Sequence, residues 1–394
     1  MPAGTMLAEK HLRALKLWGV AVVRIEDAGK SGNAAGEPTS STRTLIQARA
    51  FTTRLYCHNQ KNSEHPVYKH LFSHSMTRVA RLIDSGYLTE DLLSYSPAPA
   101  NKAPLPVVSQ SAIGSLEDLV IRTETIASLP EIYSQIVEVV NHPHSSSRDV
   151  ANLISGDTGL TARLLRLVNS AFYGFPSRIE TVSRATTLIG TNELCELALA
   201  TSVMSIFGKA LEGIVDMNMF WSHSLACGIV ARILANSASE PNSERYFVAA
   251  LLHDVGKLMI LKHMPDVARQ ILEAAKDTGR PVHSIESEIL RYNHTDAGGA
   301  LLGTWGLAPS HREAVSFHHN PLTARNYPVE AAITHVAEVI SNAMRTGREH
   351  SDPLPSLEID AWESLELDPE TLPAILDEAE VQIRDLQSAF EMGH

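Results

Sequence analysis

Cysteine is scarce in this chain of 394 residues, which contains only Cys57, Cys195 and Cys227. Three cysteines spread over the sequence cannot form a disulfide framework, and they lack the close spacing of a thiolate zinc site. An odd number of scattered cysteines fits a reducing compartment. We therefore expect all three to be small residues of the core.

Long apolar runs and blocks of basic residues are also lacking. No apolar run approaches the roughly 18 residues of a membrane span, and the N-terminus carries charges where a signal peptide needs its apolar stretch. The net charge is −12, with 33 basic and 45 acidic residues, which disfavours sequence-independent binding to nucleic acid. The sequence predicts a cytoplasmic protein without a membrane span, in which an acidic ligand would need a local cation.

The composition, 44% hydrophobic and 20% charged, is that of a globular protein, and the length suits two or three domains. The sequence of residues 1–95 predicts helices and one short strand at 20–25. Two of these helices lie within 42–86, and the second of them begins near Pro66. Four prolines within 97–106 indicate a linker over 96–111. Residues 112–345 form the main domain, and 346–394 an acidic helical tail.

The main domain shows a helical pattern almost throughout, with apolar residues recurring at intervals of three and four. No alternating strand pattern interrupts it, and turn signals such as Gly174-Phe175-Pro176 divide it into short segments. We therefore predict an all-α fold, a stack of many short helices.

An adjacent His253-Asp254 pair lies in the apolar segment AALLHDVGKLMIL, residues 249–261. An ionised carboxylate in such surroundings is costly unless it is paired or binds a metal. Adjacent side chains on a helix point about 100° apart, so both can reach a cation at the edge of the helix. A metal-free alternative is an ion pair between Asp254 and Lys257.

Further imidazoles and carboxylates surround this pair in the sequence. Neutral imidazole and carboxylate are ligands suited to zinc, iron or manganese. The sequence therefore predicts a cage for one or two divalent ions (Fe, Mn, Zn or Mg), made by His223, His253, Asp254, His294, His318, His319 and Glu338.

This order of residues resembles the metal-dependent HD phosphohydrolases. The resemblance implies one metal on His223, His253 and Asp254, with Glu338 where the superfamily usually has aspartate. His294 and the His318-His319 pair match the ligands of a second metal in the HD-GYP subgroup. Asn320 departs from that subgroup, which has glutamate there, and no GYP tripeptide follows.

A more specific resemblance covers residues 129–194, from LPEIYSQIVEVV through the Asn169-Ser170-Ala171 turn to GTNEL. This stretch is similar to the first half of the HDOD domain, the HD-related output domain of bacterial signalling proteins. With the HD half it spans residues 112–345, about 60% of the chain. The resemblance implies a helical signalling module, in a family where many members are thought to have lost hydrolase activity.

Three functions remain open from the sequence. The first is a regulatory protein whose HDOD domain binds signalling protein partners or a nucleotide second messenger without turnover, with a dimer possible. The second is a metal-dependent phosphohydrolase acting on a cyclic dinucleotide or nucleotide phosphate, with Asp254 and Lys257 in catalytic roles. The third is a metal held only as a structural or redox-sensing element.

Overall fold

A computed structural model of the chain describes residues 40–88, 113–126, 146–170, 173–210, 216–344 and 353–391, with positions 93, 105, 106, 108, 135, 136, 138 and 139. All regular secondary structure in these residues is helical, which confirms the predicted all-α class. The strand expected at 20–25 and most of the proline-rich segment 96–111 lie outside the described residues.

Two helices form the described N-terminal part, α1 (Thr42–Leu55) and α2 (Pro66–Asp84), joined by a 3₁₀ helix (Cys57–Asn62). The predicted second helix does begin at Pro66, where the missing N–H of proline removes no helical hydrogen bond. Both helices bury one face in the main core of the protein.

Of the next five helices, the last four form a second, smaller core. The five are α3 (Leu116–Ile126), α4 (Ser147–Gly156), α5 (Thr158–Val168), α6 (Val182–Ile189) and α7 (Thr191–Ala210). Aliphatic residues of α4 to α7 form that core, while the other face of α7 packs into the main core. Asp157 caps α5 by accepting a hydrogen bond from the Leu160 amide, the role its residue type predicts. Helix α7 therefore joins the two cores.

The region that contains the predicted ligand residues follows as eight helices around the main core. They are α8 (Met217–Ser237), α9 (Ser243–Leu251), α10 (Val255–His263), α11 (Pro265–Thr278), α12 (Val282–Leu290), α13 (His294–Thr304), α14 (Pro309–Phe317) and α15 (Pro328–Ala343). Helix α10 lies directly against α13, since a Cβ added at Gly256 would be 1.9 Å from the His294 carbonyl oxygen. Only glycine allows this approach, which brings the His253-Asp254 pair next to His294.

Two C-terminal helices, α16 (Ile359–Glu363) and α17 (Leu372–Glu391), return to the same main core. The Leu354 amide donates to the Leu55 carbonyl, and the buried Asn59 side chain bonds Pro355 and Leu357. The described parts of both flanks thus pack on the helices of the main core. None of the helices that the structure describes is long and apolar enough to cross a membrane.

Candidate metal centre

Three helices and two turns bring the seven predicted ligand residues into one buried cluster. His223 comes from α8 and Glu338 from α15, while His253 and Asp254 occupy the turn between α9 and α10. His294 opens α13, and the His318-His319 pair follows α14 directly. Six of the seven are no more than 3% exposed, and the His319 side chain is 9% exposed. The sequence prediction therefore selected residues that do meet in space.

Backbone carbonyls fix the orientation of two central imidazoles. The Nδ1–H of His253 donates to the Ala250 carbonyl at 2.7 Å, and the Nδ1–H of His318 donates to the Val315 carbonyl at 2.8 Å. This leaves the lone pair of the opposite nitrogen, Nε2, directed into the cluster. Neither Nε2 atom has a hydrogen-bond partner, although both are buried. Such an arrangement is typical of imidazoles that bind metal.

Asp254 lies between these imidazoles and Lys257. Its Oδ2 accepts a 2.7 Å ion-pair hydrogen bond from Lys257 and lies 3.3 Å from His253 Nε2. Its Oδ1 lies 3.4 Å from His294 Nε2 and 4.0 Å from His318 Nε2, without a hydrogen bond. The ion pair anticipated with Lys257 is present, but it satisfies one of the two carboxylate oxygens.

A carboxylate behind His294 holds that ring in place. Glu286, on α12, accepts hydrogen bonds from the His294 amide at 3.0 Å and from Nδ1–H at 2.5 Å. The His294 Nε2 then faces the cluster, 3.1 Å from the Nε2 of His319. His319 in turn stacks on His283 and places its Nδ1 3.5 Å from a Glu338 oxygen.

The electrostatics keep this cluster ready to bind a cation. Burial, together with neighbouring imidazoles, lowers the pKa of His318 and of His319 well below the ordinary value. Both rings therefore remain neutral and can offer a nitrogen lone pair to a metal ion. Burial alone would raise the pKa of Asp254, but His253 and Lys257 hold it well below its usual range. Burial also opposes ionisation of Glu286, yet His294 lowers the pKa of that carboxyl.

His253 has the opposite balance. Burial lowers its pKa, but the carboxylates of Asp254 and Glu338 raise it above the ordinary value. The excess negative charge around this ring thus favours a positive charge nearby, either a proton on Nε2 or a metal ion.

Three overlapping groups of side chains have the spacing of metal ligands. In each group the possible ligand atoms lie within 4.8 Å of one another. The groups are His223, Cys227 and His253; His253, His318 and Glu338; and His294, His318 and His319. Neutral imidazoles, buried carboxylates and orphaned acceptor atoms fit a divalent cation.

This grouping differs in detail from the set implied by the HD superfamily. Glu338 groups with His253 and His318, while His223 groups with His253 and Cys227. Sequence reasoning missed Cys227 and Glu286. The i, i+4 spacing of His223 and Cys227 on one helix was a signal for the cysteine, whereas no comparable signal marks the glutamate.

The family model of the HDOD domain matches residues 126–321 of this chain. The chain belongs to the HDOD family. The matched range includes His223, the His253-Asp254 pair, His294 and the His318-His319 pair, whereas Glu338 lies beyond it. The predicted limits of the domain, 112–345, enclose this range and stay predictions.

One curated relative, an uncharacterised protein of Treponema pallidum (strain Nichols), is 26% identical to the HDOD chain over 202 residues. The match covers 50% of this chain and 38% of the relative, so the chain spans well under half the length of that protein. The activity and partners of the whole protein are therefore matters for proposal.

Solved structures share the fold. A provisionally assigned phosphohydrolase from Shewanella amazonensis SB2B superimposes with a TM-score of 0.56 at 24% identity, covering 69% of this chain and 97% of that one. An HDOD domain protein of unknown function from Geobacter sulfurreducens gives 0.55 at 24%, covering 69% and 98%. A provisionally assigned signal transduction protein from Marinobacter aquaeolei VT8 gives 0.56 at 19%, covering 82% and 66%. At these identities the likeness establishes the fold and no more.

Proposed function

We propose that this chain is a signalling protein whose HDOD domain binds one or two divalent metal ions. In this proposal the loaded domain binds a protein partner or a nucleotide second messenger and does not turn over phosphoesters. The metal centre is held by His223, His253, Asp254, His294, His318, His319 and Glu338. When bound, such an ion supplies Lewis acidity and a fixed positive charge.

One observation carries the metal proposal. His253 Nε2, Asp254 Oδ1 and His318 Nε2 are buried acceptor atoms without hydrogen bonds, and all three belong to the same cluster. Leaving a buried polar atom unsatisfied costs about 1–3 kcal/mol, and more for a charged group. One or two cations bound within the cluster would offset that cost.

The enclosure of the cluster favours binding over catalysis. A catalytic metal keeps at least one coordination position open for water or substrate, whereas a structural site is closed by protein ligands. Here His253, Asp254, His294 and His318 are at most 2% exposed. A phosphodiester would have to displace packed side chains to reach an ion in this position.

A specific residue favours a second candidate function, metal-dependent phosphohydrolysis. The Lys257 side chain is 21% exposed and bonds Asp254, so it links the buried cluster to solvent. Because the chain as a whole is acidic, a phosphate ligand requires local positive charge, which the ammonium group of Lys257 would supply. The substrate class would be a cyclic dinucleotide or a nucleotide phosphate.

Metal analysis of three proteins tests both candidates. The chain, its His253→Ala variant and a His263→Ala control are purified anaerobically, and Fe, Mn and Zn are quantified. His263 ends α10, away from the cluster, so its replacement should leave the metal content unchanged. We expect one or two ions per chain, fewer in His253→Ala, and a lower unfolding midpoint after chelation, since a ligand at 100 times its Kd adds about 2.7 kcal/mol.

Activity assays separate the two functions. The metal-loaded chain is incubated with cyclic dinucleotides and a general phosphodiester in the presence of Mn²⁺, Fe²⁺ or Mg²⁺, and we expect no turnover. Hydrolysis that disappears in His253→Ala but persists in His263→Ala would replace the signalling proposal with the phosphohydrolase. A chain that holds no metal under any of these conditions would refute both.

A further inference from the structure

We propose that Cys227 is a thiolate ligand of the metal centre, and that with His223 and His253 it forms a position for a thiophilic divalent ion such as zinc or ferrous iron. This inference rests on the proposed metal-binding function and goes beyond it. It assigns a ligand to a residue that the sequence predicts to be a small core residue, and it specifies the class of metal.

The helix geometry places the thiol beside the first histidine. His223 and Cys227 are four residues apart on α8, so their side chains lie on the same face, one turn apart. The cysteine Sγ is 3.5 Å from His223 Nε2, and the cysteine is completely buried. Zinc–sulfur and zinc–nitrogen bonds of about 2.3 and 2.0–2.1 Å at a tetrahedral angle separate the two atoms by about 3.6 Å. The pair is thus already spaced for one ion.

The third member of the group is what distinguishes a ligand set from a simple contact. A thiol–imidazole hydrogen bond would account for Cys227 and His223 alone, but a nitrogen of His253 lies within 4.8 Å of both ligand atoms. The Nδ1–H of His253 is committed to the Ala250 carbonyl, so the available ligand atom is Nε2, which has no hydrogen bond. Three donors therefore converge, two of nitrogen and one of sulfur.

The donor types determine which metal is held. Thiolate is a soft ligand that selects zinc and iron, whereas carboxylate and water suit magnesium and manganese. Coordination deprotonates the thiol, and the proton leaves to solvent as the ion binds. Of the other two groups, His294, His318 and His319 offer nitrogen alone, and His253, His318 and Glu338 offer nitrogen and oxygen. Among the three groups, sulfur is therefore found only in the one that contains Cys227.

Cobalt substitution tests this inference without depending on activity. Co²⁺ is added to the metal-free full-length chain and to Cys227→Ser and Cys227→Ala variants, and absorption is recorded in the near ultraviolet, where cobalt–thiolate charge transfer occurs. The double variant Cys57→Ser/Cys195→Ser is the control, because Cys57 is exposed and Cys195 belongs to the smaller core. Circular dichroism verifies that each variant is folded.

We expect the charge-transfer band in the unmodified chain and in the double variant, and its loss in both Cys227 variants, which still bind cobalt through the remaining ligands. Chelator competition should show at least about tenfold weaker zinc binding in Cys227→Ser. Replacing a residue that only hydrogen-bonds a metal ligand already lowers metal affinity by about 10- to 100-fold. Manganese binding should change much less.

The possible failures are distinguishable. Cobalt bound by the unmodified chain without the band, or a band that persists in folded Cys227→Ser, overturns the role of Cys227 and leaves the metal centre standing. Unchanged zinc affinity in that variant has the same meaning. If cobalt does not bind to the unmodified chain at all, both this inference and the metal-binding proposal are refuted.

Discussion

Replacing Gly256 by alanine should separate α10 from α13, the two helices whose contact brings Asp254 next to His294. A Cβ at this position would lie 1.9 Å from the His294 carbonyl oxygen and 2.8 Å from the Gly298 amide nitrogen. Both atoms belong to the backbone, so no side chain can rotate away to relieve the contact. Helix α10 or α13 must therefore move.

The size of the effect follows from these distances. Ordinary van der Waals contact begins at 3.4 Å, so the carbonyl of His294 has to retreat by about 1.5 Å. Overpacking of a dense core costs about 1–3 kcal/mol, and a backbone clash belongs at the upper end of that range. The same movement carries His294 away from Asp254, whose Oδ1 is now 3.4 Å from its Nε2. Metal affinity should fall together with stability.

Chemical denaturation and metal analysis of Gly256→Ala measure both effects. The matched control is Gly156→Ala, also on a helix, where an added Cβ meets no atom within 4 Å. That substitution should change stability by no more than about 1 kcal/mol, because alanine is the better helix former. If Gly256→Ala proves as stable as the control and retains its full metal content, the close packing of α10 on α13 is not what positions the site.

Three further predictions address other parts of the structure. Glu286→Gln weakens the hold on His294 and should lower metal affinity about 10- to 100-fold in calorimetric titration. Burial, with neighbouring carboxylates, raises the pKa of Glu196 from 4.5 to about 7. The folded state therefore keeps this proton up to a higher pH than the unfolded state does. As a result, the free energy of unfolding falls by about 3 kcal/mol as pH rises from about 4.5 to above 7. Glu196→Gln should remove most of that fall when denaturation is compared at pH 5 and pH 8. Asn59→Ala breaks two hydrogen bonds to segment 355–357 and should cost about 2 kcal/mol, with faster proteolysis there.

The fold and the membership of the cluster could be predicted because their signals are local or are carried by residue type. Apolar spacing predicts the helices, and Pro66 marks a helix start where the structure has one. Asp254 in an apolar segment indicates that a partner must compensate its charge, and the histidines of the same domain are the candidates for the other members of the cluster. These arguments need no knowledge of how the helices cross.

Pairing within the cluster depends on tertiary geometry, and sequence reasoning did not reach it. Glu286 is eight residues before His294, on a different helix, and it meets the ring because Arg291 ends α12 in the left-handed conformation. Glu338 and Cys227 likewise fall into different ligand groups according to how α8 and α15 pack. Spacing along the chain can identify a ligand residue, but it does not determine with which other residues that ligand would bind the same ion.

The flanks show the same distinction between composition and contact. The proline-rich segment suggests a separate N-terminal region, because composition reports local chain stiffness. Yet Asn59 bonds the 355–357 segment, and the amide of Glu358 donates to His335 Nε2. The Nδ1–H of that histidine donates to the carbonyl of His318. His335 thus joins the C-terminal segment to a predicted ligand. Hydrogen bonds thus run from both flanks to the cluster, so experiments on metal binding need the full chain.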